Sequence, residues 1–461
     1  MTKPRIGLLG HYLELYDRVA PAARPRIDEF YRATADALQR RGVEVVTADV
    51  CRLRHEFDAA VSLFEQAQSD AIVSLHLAYS PSLESADALS ATRLPLIILD
   101  TTPSPSYGPA TDPEELMYNH GIHGVQDLCN VLIRRGKRFQ IEAGHGDDVL
   151  DRTARWAKAA QVAARLGRAR VGIIGKPFEG MGDFAVSSDA LKATLGVTVV
   201  AGPFDRLWLL LPADDDPAVN SEMAGDRARF DCTGLDEGAH RATTRACLAV
   251  RRWLDIEGLT DFTMNFDSFD EMCGMPTVPF LEASKGMARG VGYAGEGDTM
   301  TAAFVGALAS AWSATTFTEM FCPDWEGEAV FVSHMGELNP DLCVGRPRLI
   351  EKPLPWIAVG APALAVGRFR PGVATFADLA PAPNGAYRLL TARVEMLDVA
   401  GDDRHADAIR GWFRPPMPVA DFLAAYSRDG GTHHAALVYG DVTTDLARLA
   451  CLQGWALTEL G

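Results

Sequence analysis

The stretch RIGLL, residues 5–9, begins a pattern in which short apolar runs alternate with helix-length amphipathic segments. Parallel strands need a crossover of helix length between them, so this alternation is typical of a parallel sheet. The predicted strands in the first third of the chain are 5–9, 44–48, 71–75, 94–99 and 138–143, and the main helices are 26–41 and 114–135. The pattern therefore predicts an α/β domain with helices on both faces of the sheet.

Ligands of such sheets bind beyond the carboxyl ends of the strands. The loops that follow the first, third and fourth predicted strands carry His11, His76 and the pair Thr101 and Thr102. We expect these loops to face a ligand, with His11 among the residues that contact it.

Two further domains are predicted from the rest of the chain. A helix over 148–166 closes the first domain, and a second α/β pattern follows with strands at 171–175 and 198–200, an apolar run at 207–211 and a long helix at 237–255. After Trp325 the pattern changes to short β-rich pieces at 329–333, 356–359, 387–398 and 435–439, punctuated by Pro and Gly. These pieces predict an antiparallel β-barrel or sandwich. The predicted domains are 1–168, 169–325 and 326–461.

Composition excludes several classes of function. The net charge is -17, with 44 Lys and Arg against 61 Asp and Glu, and such an acidic chain is a poor partner for nucleic acid. No apolar run approaches the 18 or so residues that a membrane span needs. The eight cysteines are scattered without a C-x-x-C pair, which favours reduced, mostly buried thiols in a cytoplasmic protein.

Two glutamates lie in segments suited to chemistry. Glu296, in the sequence GEGD, directly precedes a helix over 299–312 with Asp298 as its predicted N-cap, and a helix amino terminus favours an ionised carboxylate. Glu319, in TFTEMF, is flanked by aromatic residues, and burial there would raise its pKa. The alternatives are a surface turn for Glu296 and a paired structural carboxylate for Glu319.

Each of three histidines could have either a functional or a structural role. His334 ends the apolar run AVFVS, where a histidine is more often a core residue than a ligand. His433 and His434 follow a double glycine, and alternation along a strand allows only one of them to face a given site. The glycines permit close approach of the backbone, which favours a functional role.

Two segments add candidate substrate contacts. In YNHGIHGVQ, His123 lies near the start of a helix, three residues after His120, and we expect it to contact substrate rather than to serve as a cap. The glycine-rich segment 175–184 contains Met181 and lacks the spacing of a dinucleotide or phosphate loop. It is either a mobile loop over a cleft or an ordinary strand-to-helix connection.

Five short motifs, in order, resemble the L-arabinose isomerase family and its L-fucose isomerase relatives. They are TMNF (263–266), AGEGD (294–298), FTE (317–319), SHMGE (333–337) and GGTHH (430–434). The resemblance implies an N-terminal Rossmann-like domain, a central α/β domain and a C-terminal β-barrel, assembled as trimers or hexamers with the active site at a subunit junction.

The resemblance also implies a site. Its metal ligands would be Glu296, Glu319, His334 and His434, and the metal would be Mn²⁺ or another divalent ion such as Co²⁺ or Mg²⁺. The implied reaction is aldose–ketose interconversion through a cis-enediol, with Glu296 and Glu319 as the acid and the base in an order that is not assigned. Implied substrate contacts are His123, His11, Met181 and Phe266.

Departures from the family pattern leave the sugar open. The segment HGIHGVQD (120–127) and the loop at 175–184 differ from the usual form, and both would shape the sugar pocket. Two alternative functions remain. A metal-dependent lyase or decarboxylase acting on a sugar acid would need a cation such as Arg134, Arg135 or Lys176 for the substrate carboxylate. A sugar-binding protein without enzymatic activity would fit the two α/β domains but leaves the glutamates and the histidine pair unexplained.

Overall fold

The computed structural model describes residues 3–399 and 404–461, which fall into two compact units. One unit comprises residues up to 164 together with 451–454, and the other comprises 165–450 together with 455–461. The division into three domains at 168 and 325 stays a prediction. No helix in the described residues is both long and apolar enough to cross a membrane.

The N-terminal unit is built on a five-stranded parallel sheet. Its strands are β1 (Arg5–His11), β2 (Glu44–Thr47), β3 (Ala71–His76), β4 (Leu96–Asp100) and β5 (Gln140–Ala143), in the order β2-β1-β3-β4-β5. Its helices are α1 (Glu14–Val19), α2 (Arg24–Arg40), α3 (Arg54–Gln66), α4 (Ser82–Ala91), α5 (Leu116–Asn119), α6 (Ile122–Arg134) and α7 (Gly146–Gly167). Two apolar clusters form its core. The central strand β3 is buried along its whole length, as is typical of a parallel sheet covered on both faces.

One predicted helix of this unit, 114–135, is broken in the structure. Its two α-helical pieces, α5 and α6, are separated at His120 and Gly121. A Cβ on Gly121 would lie 2.4 Å from the carbonyl oxygen of His76, so the backbone packs directly on the end of β3. The break follows from this close approach, which only glycine allows.

The second unit begins with a four-stranded parallel sheet. Its strands are β6 (Arg170–Ile174), β7 (Thr198–Gly202), β8 (Asp261–Met264) and β9 (Gly292–Gly295), in the order β7-β6-β8-β9. The helices are α8 (Ser188–Leu195), α9 (Phe204–Leu209), α10 (Pro217–Arg229), α11 (Glu237–Glu257), α12 (Phe280–Ala288) and α13 (Thr299–Ala311). The apolar run at 207–211 lies mostly in helix α9, because an apolar run alone does not distinguish a strand from a helix. Leu207 is the one residue of that helix that is buried.

A closed antiparallel barrel completes the second unit. Its strands are β10 (Thr315–Asp324), β11 (Ala329–Ser333), β14 (Gly372–Pro381), β15 (Tyr387–Met396), β16 (Gly411–Arg414) and β17 (His434–Tyr439). They pair in the order β14-β17-β10-β11-β16-β15, and β15 pairs back to β14, which closes the ring. The remaining elements are a ribbon of β12 (Arg348–Glu351) and β13 (Ala363–Val366), the helices α14 (Val419–Arg428) and α15 (Thr443–Gln453), and β18 (Ala456–Glu459) parallel to β15. The predicted fold class, parallel α/β domains followed by an antiparallel barrel, is confirmed.

Two smaller predictions are wrong. The segment 356–359 is a loop, because Pro353 and Pro355 precede it, cannot donate backbone hydrogen bonds and restrict the chain locally. The eight thiols are all free, as expected, but only Cys51, Cys247 and Cys273 are buried.

Candidate metal centre

Four side chains from separate elements of the second unit meet at one point. Glu296 follows β9 of the parallel sheet, Glu319 lies within β10, His334 follows β11, and His434 begins β17. In the barrel register, Glu319 is paired with Ser333 on one side and His434 on the other. Adjacent barrel strands therefore supply three of the four groups, and the turn after the parallel sheet supplies the fourth.

The four groups are close enough to share one ion. One potential ligand atom from each lies within 4.8 Å of all the others. The Nε2 atom of His434 is 2.7 Å from Glu296 Oε2 and 2.9 Å from Glu319 Oε1, and His334 Nε2 is 3.2 Å from Glu319 Oε1. Two carboxylates with two imidazoles are a ligand set that suits manganese, cobalt or magnesium better than a thiolate-selective metal.

Each imidazole is held by a carboxylate behind it. His334 Nδ1 lies 2.6 Å from Glu337 Oε2, and His434 Nδ1 lies 2.9 Å from Asp298 Oδ2. Such partners fix the ring orientation, so that Nε2 of each ring faces the centre. Glu337 is itself held by the hydroxyl of Tyr293, which donates to Oε1 over 2.8 Å. Both the four potential ligands and the carboxylates that orient the two imidazoles therefore fit a divalent cation.

The turn that carries Glu296 is held in an unusual backbone conformation. Glu296 has φ +54° and Gly297 has φ +86°, in the left-handed region that residues other than glycine seldom adopt. The Gly297 N–H donates to the Thr263 hydroxyl over 3.0 Å, and a Cβ on Gly297 would lie 2.6 Å from Cα of Pro177. Backbone strain of this kind is common where a side chain is held for function.

Asp298 has two roles at this turn. It caps α13, as the sequence predicts, by accepting a hydrogen bond from the Thr301 N–H at Oδ1 over 2.9 Å. Its other oxygen contacts His434. The start of α13 and the orientation of one imidazole therefore depend on the same carboxylate.

Opposite charges set the protonation of the centre when no metal is bound. Burial alone would raise the pKa of Glu319, but the two imidazoles outweigh it and bring that pKa to about 2. Burial opposes the same effect at Glu296, where His334 and His434 again lower the pKa. Burial lowers the pKa of each imidazole, yet the surrounding carboxylates raise both pKa values well above the ordinary value. Both glutamates are thus ionised at neutral pH and available to a cation.

Aromatic rings enclose the centre. Phe317 makes edge-to-face contacts with His334 at 4.8 Å and with His434 at 5.0 Å between ring centroids. Phe184 stacks on the His434 ring at 4.9 Å, with an interplanar angle of 8°. These contacts keep the imidazoles dry and strengthen electrostatic interactions in the centre.

The segment 175–184 lies against this centre. Besides the stacked Phe184, its Asp183 carboxylate accepts a hydrogen bond from the His433 N–H over 2.9 Å and lies 2.6 Å from His433 Nδ1. His433 therefore contacts the loop, whereas His434 contacts the glutamates. The loop also contains Met181, which is half-buried, and Phe178, whose ring is 5.8 Å from that of Phe266.

The other two predicted substrate contacts, His11 and His123, belong to the N-terminal unit. His11 is fully buried at the carboxyl end of β1, where it stacks on His76 at 4.2 Å and lies 2.8 Å from the Ser74 hydroxyl. Burial lowers the pKa of His11, so this imidazole is neutral. His123 is exposed near the start of α6.

Comparison with known proteins agrees with these motifs. Residues 226–312 match the family model described as the L-arabinose isomerase central domain, and residues 314–455 match the L-arabinose isomerase C-terminal domain. The chain belongs to the L-arabinose isomerase family. The matched ranges of this family member include all four residues of the centre and both outer carboxylates.

Individual relatives extend the match toward the amino terminus. L-arabinose isomerase 1 of Bacillus licheniformis is 26% identical over 399 residues, 83% of this chain and 79% of the relative. The L-arabinose isomerase of Nocardioides sp. is 27% identical over 377 residues, 78% of this chain and 74% of the relative. Among solved structures, a periplasmic solute-binding protein from Actinobacillus succinogenes with bound D-allose aligns over 67% of this chain and 92% of its own, with 13% identity and a TM-score of 0.18. A likeness at that level carries no argument.

Several residues of this centre were not identified from the sequence. Glu337 appears in the SHMGE motif three residues after His334, but nothing in the motif shows which ring nitrogen it contacts. Asp298 was identified only as a cap. Asp183 is 250 residues from His433 in the sequence, and Phe184 is the next residue. Only the fold reveals that both contact the histidine pair.

Proposed function

We propose that this chain is a metal-dependent aldose–ketose isomerase that acts on a pentose or hexose through a cis-enediol. The observation that carries the proposal is the set of Glu296, Glu319, His334 and His434, in which Glu319 is half-buried and the others are buried, and whose potential ligand atoms lie within 4.8 Å of one another. Membership of the L-arabinose isomerase family, whose relatives carry that name, supports the reaction class.

The same four side chains would hold Mn²⁺, or another divalent ion such as Co²⁺ or Mg²⁺. When bound, the ion supplies Lewis acidity that polarises the sugar oxygens at C1 and C2. Glu337 and Asp298 keep the two imidazoles oriented with Nε2 toward that position.

Glu296 and Glu319 are the candidates for proton transfer. In the aldose-to-ketose direction, one carboxylate takes the proton from C2, the O2 hydroxyl proton passes to O1, and the first proton returns to C1. No proton is gained or lost in the net reaction. The pKa values of both carboxyls are lowered, so each is ionised at neutral pH, which is the form that a base requires.

The aromatic walls of the centre suit a cis-enediol intermediate, because they limit the access of water to it. Phe184 and Phe317 contact the imidazoles directly, and we propose that Met181 and Phe266 contact the sugar beside them. Excluding water keeps the abstracted proton from exchanging before it returns to the sugar.

His11 and His123 are proposed to contact the sugar within a homotrimer or homohexamer that has its active site at a subunit junction. A neutral, buried His11 can donate or accept a hydrogen bond to a hydroxyl without adding charge. We expect the reaction to take place in the cytoplasm, where the eight free thiols stay reduced.

A panel of sugars tests the proposal. Chelator-stripped protein is incubated with L-arabinose, D-galactose, L-fucose, D-arabinose or L-ribose, with and without added manganese, and ketose formation is scored. We expect metal-dependent ketose from at least one sugar. If every sugar fails while manganese binds and raises the melting temperature, isomerisation of a simple aldose is contradicted, and sugar acids form the next panel.

A further inference from the structure

A cationic cavity lies at the amino-terminal edge of the sheet in the N-terminal unit. It has a volume of about 240 Å³, and the residues that line it include Arg93, Lys137 and Arg138. Arg93 precedes β4, and the two other cations lie between α6 and β5. No carboxylate is among the residues that line the cavity.

These cations stand out in a chain with a net charge of -17. Within 3–399 and 404–461, no ion pair joins Arg93, Lys137 or Arg138 to an acidic side chain. The Lys137 ammonium is half-buried and donates a hydrogen bond to the Thr92 carbonyl, and burial lowers its pKa. Glu65 raises the pKa of Lys137 against that burial, and Arg93 and Arg138 are exposed. No carboxylate lines the cavity itself, so three cations around it favour an anionic ligand.

The cavity also has apolar lining. Leu94, Pro95, Phe139 and Leu452 contribute to it, and Leu452 is part of the short segment 451–454 that packs with this unit. A ligand with both a charged group and a less polar body would therefore find contacts for each part.

The cavity is separate from the predicted substrate contacts of the same unit. Leu96 and Gln140, which line it, begin β4 and β5, whereas His11 ends β1. The strands are parallel, so all their first residues lie at one end of the sheet and all their last residues lie at the other. A ligand here would not compete with a sugar beside His11.

We propose that this cavity binds the phosphate group of a small phosphorylated metabolite, a phosphate monoester, through Arg93, Lys137 and Arg138. Three cations match a phosphate dianion better than a single carboxylate, and guanidinium groups bind phosphate through paired hydrogen bonds. The cavity volume of about 240 Å³ accommodates a sugar phosphate rather than a dinucleotide.

Calorimetric titration of the full-length chain with ribose 5-phosphate, inorganic phosphate and ribose tests this proposal. The test variant is the double substitution Arg93→Gln with Arg138→Gln, which leaves the Lys137 hydrogen bond to Thr92 intact. The matched control is Arg134→Gln, which removes a nearby exposed cation that does not line the cavity. Unchanged melting temperatures establish that both variants are folded.

We expect saturable binding of ribose 5-phosphate, weakened at least about tenfold in the double variant and unchanged in Arg134→Gln, with no binding of ribose. Equal affinity for inorganic phosphate would overturn the assignment to an ester. The site itself would be overturned by a lack of saturable binding at millimolar concentrations, or by the same loss of affinity in Arg134→Gln.

Discussion

His434 Nδ1 lies 2.9 Å from Asp298 Oδ2, and the other oxygen of this carboxylate caps helix α13. The contact joins the first residue of a barrel strand to the first turn after the parallel sheet. Because Glu296 lies in that same turn, Asp298 sets the position of one proposed metal ligand and the orientation of another.

This dual role predicts that Asp298→Asn weakens metal binding without unfolding the protein. Asparagine is a good N-cap, so α13 keeps its cap, while the negative charge behind His434 is lost. Loss of such an outer carboxylate typically costs about 10–100-fold in metal affinity. Manganese affinity measured by calorimetry checks the prediction.

Asp236→Asn is the matched control for this change. Asp236 caps α11 by accepting a hydrogen bond from the Ala239 N–H over 2.9 Å, as Asp298 does for α13. Within the described residues, its carboxylate bonds to no histidine side chain. We expect its manganese affinity to equal that of the wild type. Equal affinities for both variants would mean that Asp298 does not orient His434 for a metal.

The histidine pair predicts a ranking of two variants. His434 is fully buried and its Nε2 faces both glutamates, whereas His433 is partly exposed and bonds to Asp183 in the loop. His434→Asn should remove a ligand and abolish metal-dependent turnover, whereas His433→Asn should cost less, on the order of tenfold, by loosening the loop. Steady-state kinetics with added manganese measures both. The reverse ranking would show that His433 is the ligand.

A buried carboxyl beside this histidine pair predicts a pH dependence of stability. Asp378 is buried, and burial raises its pKa to about 7, against hydrogen bonds from Thr432 and Tyr426. In the unfolded chain the pKa of this group is the ordinary 3.8 of an aspartate, so the folded form holds a proton that the unfolded form releases. Its contribution to stability is therefore present in full below that value and is lost as the pH rises through about 7.

Asp378→Asn isolates this effect because asparagine stays neutral. Between pH 5 and pH 8 the free energy of unfolding of the variant, relative to wild type, should rise by roughly 3 kcal/mol. The slope of 1.36 kcal/mol per pH unit applies only up to the folded pKa of about 7, that is, over about two pH units. Urea unfolding of the metal-free proteins at the two pH values measures it, with the exposed Asp421→Asn as control. A constant difference between Asp378→Asn and wild type would refute the assignment.

The fold could be predicted from the sequence where one element carries its own signal. Strand β3 is mostly apolar and is buried throughout, and α2 buries Ile27, Tyr31 and Leu38 on one face, so local patterns were sufficient. They failed where packing decided the outcome. The break at Gly121 depends on the His76 carbonyl, and the apolar run at 356–359 became a loop because of the prolines before it.

For the site, the motifs identified the four residues but not the geometry that gives them a common function. Glu296 and His434 are 138 residues apart in sequence, and their contact exists only because the end of β9 lies near the start of β17. The contacts of the outer carboxylates Glu337 and Asp298 could not be assigned from sequence. Sequence position alone does not show which way a carboxylate side chain points or which histidine it contacts. The Phe184 ring on His434 likewise depends on how the loop folds.

The most direct test of the central claim is a titration of manganese into chelator-stripped protein, with turnover of the best aldose measured at each step. We predict one equivalent per chain, turnover that rises in proportion to bound metal, and a loss of about 10²–10⁴-fold in Glu296→Gln. The control Glu326→Gln, an exposed glutamate of the turn between β10 and β11, should match the wild type. Full turnover by the stripped protein, or undiminished turnover by Glu296→Gln, would contradict the account.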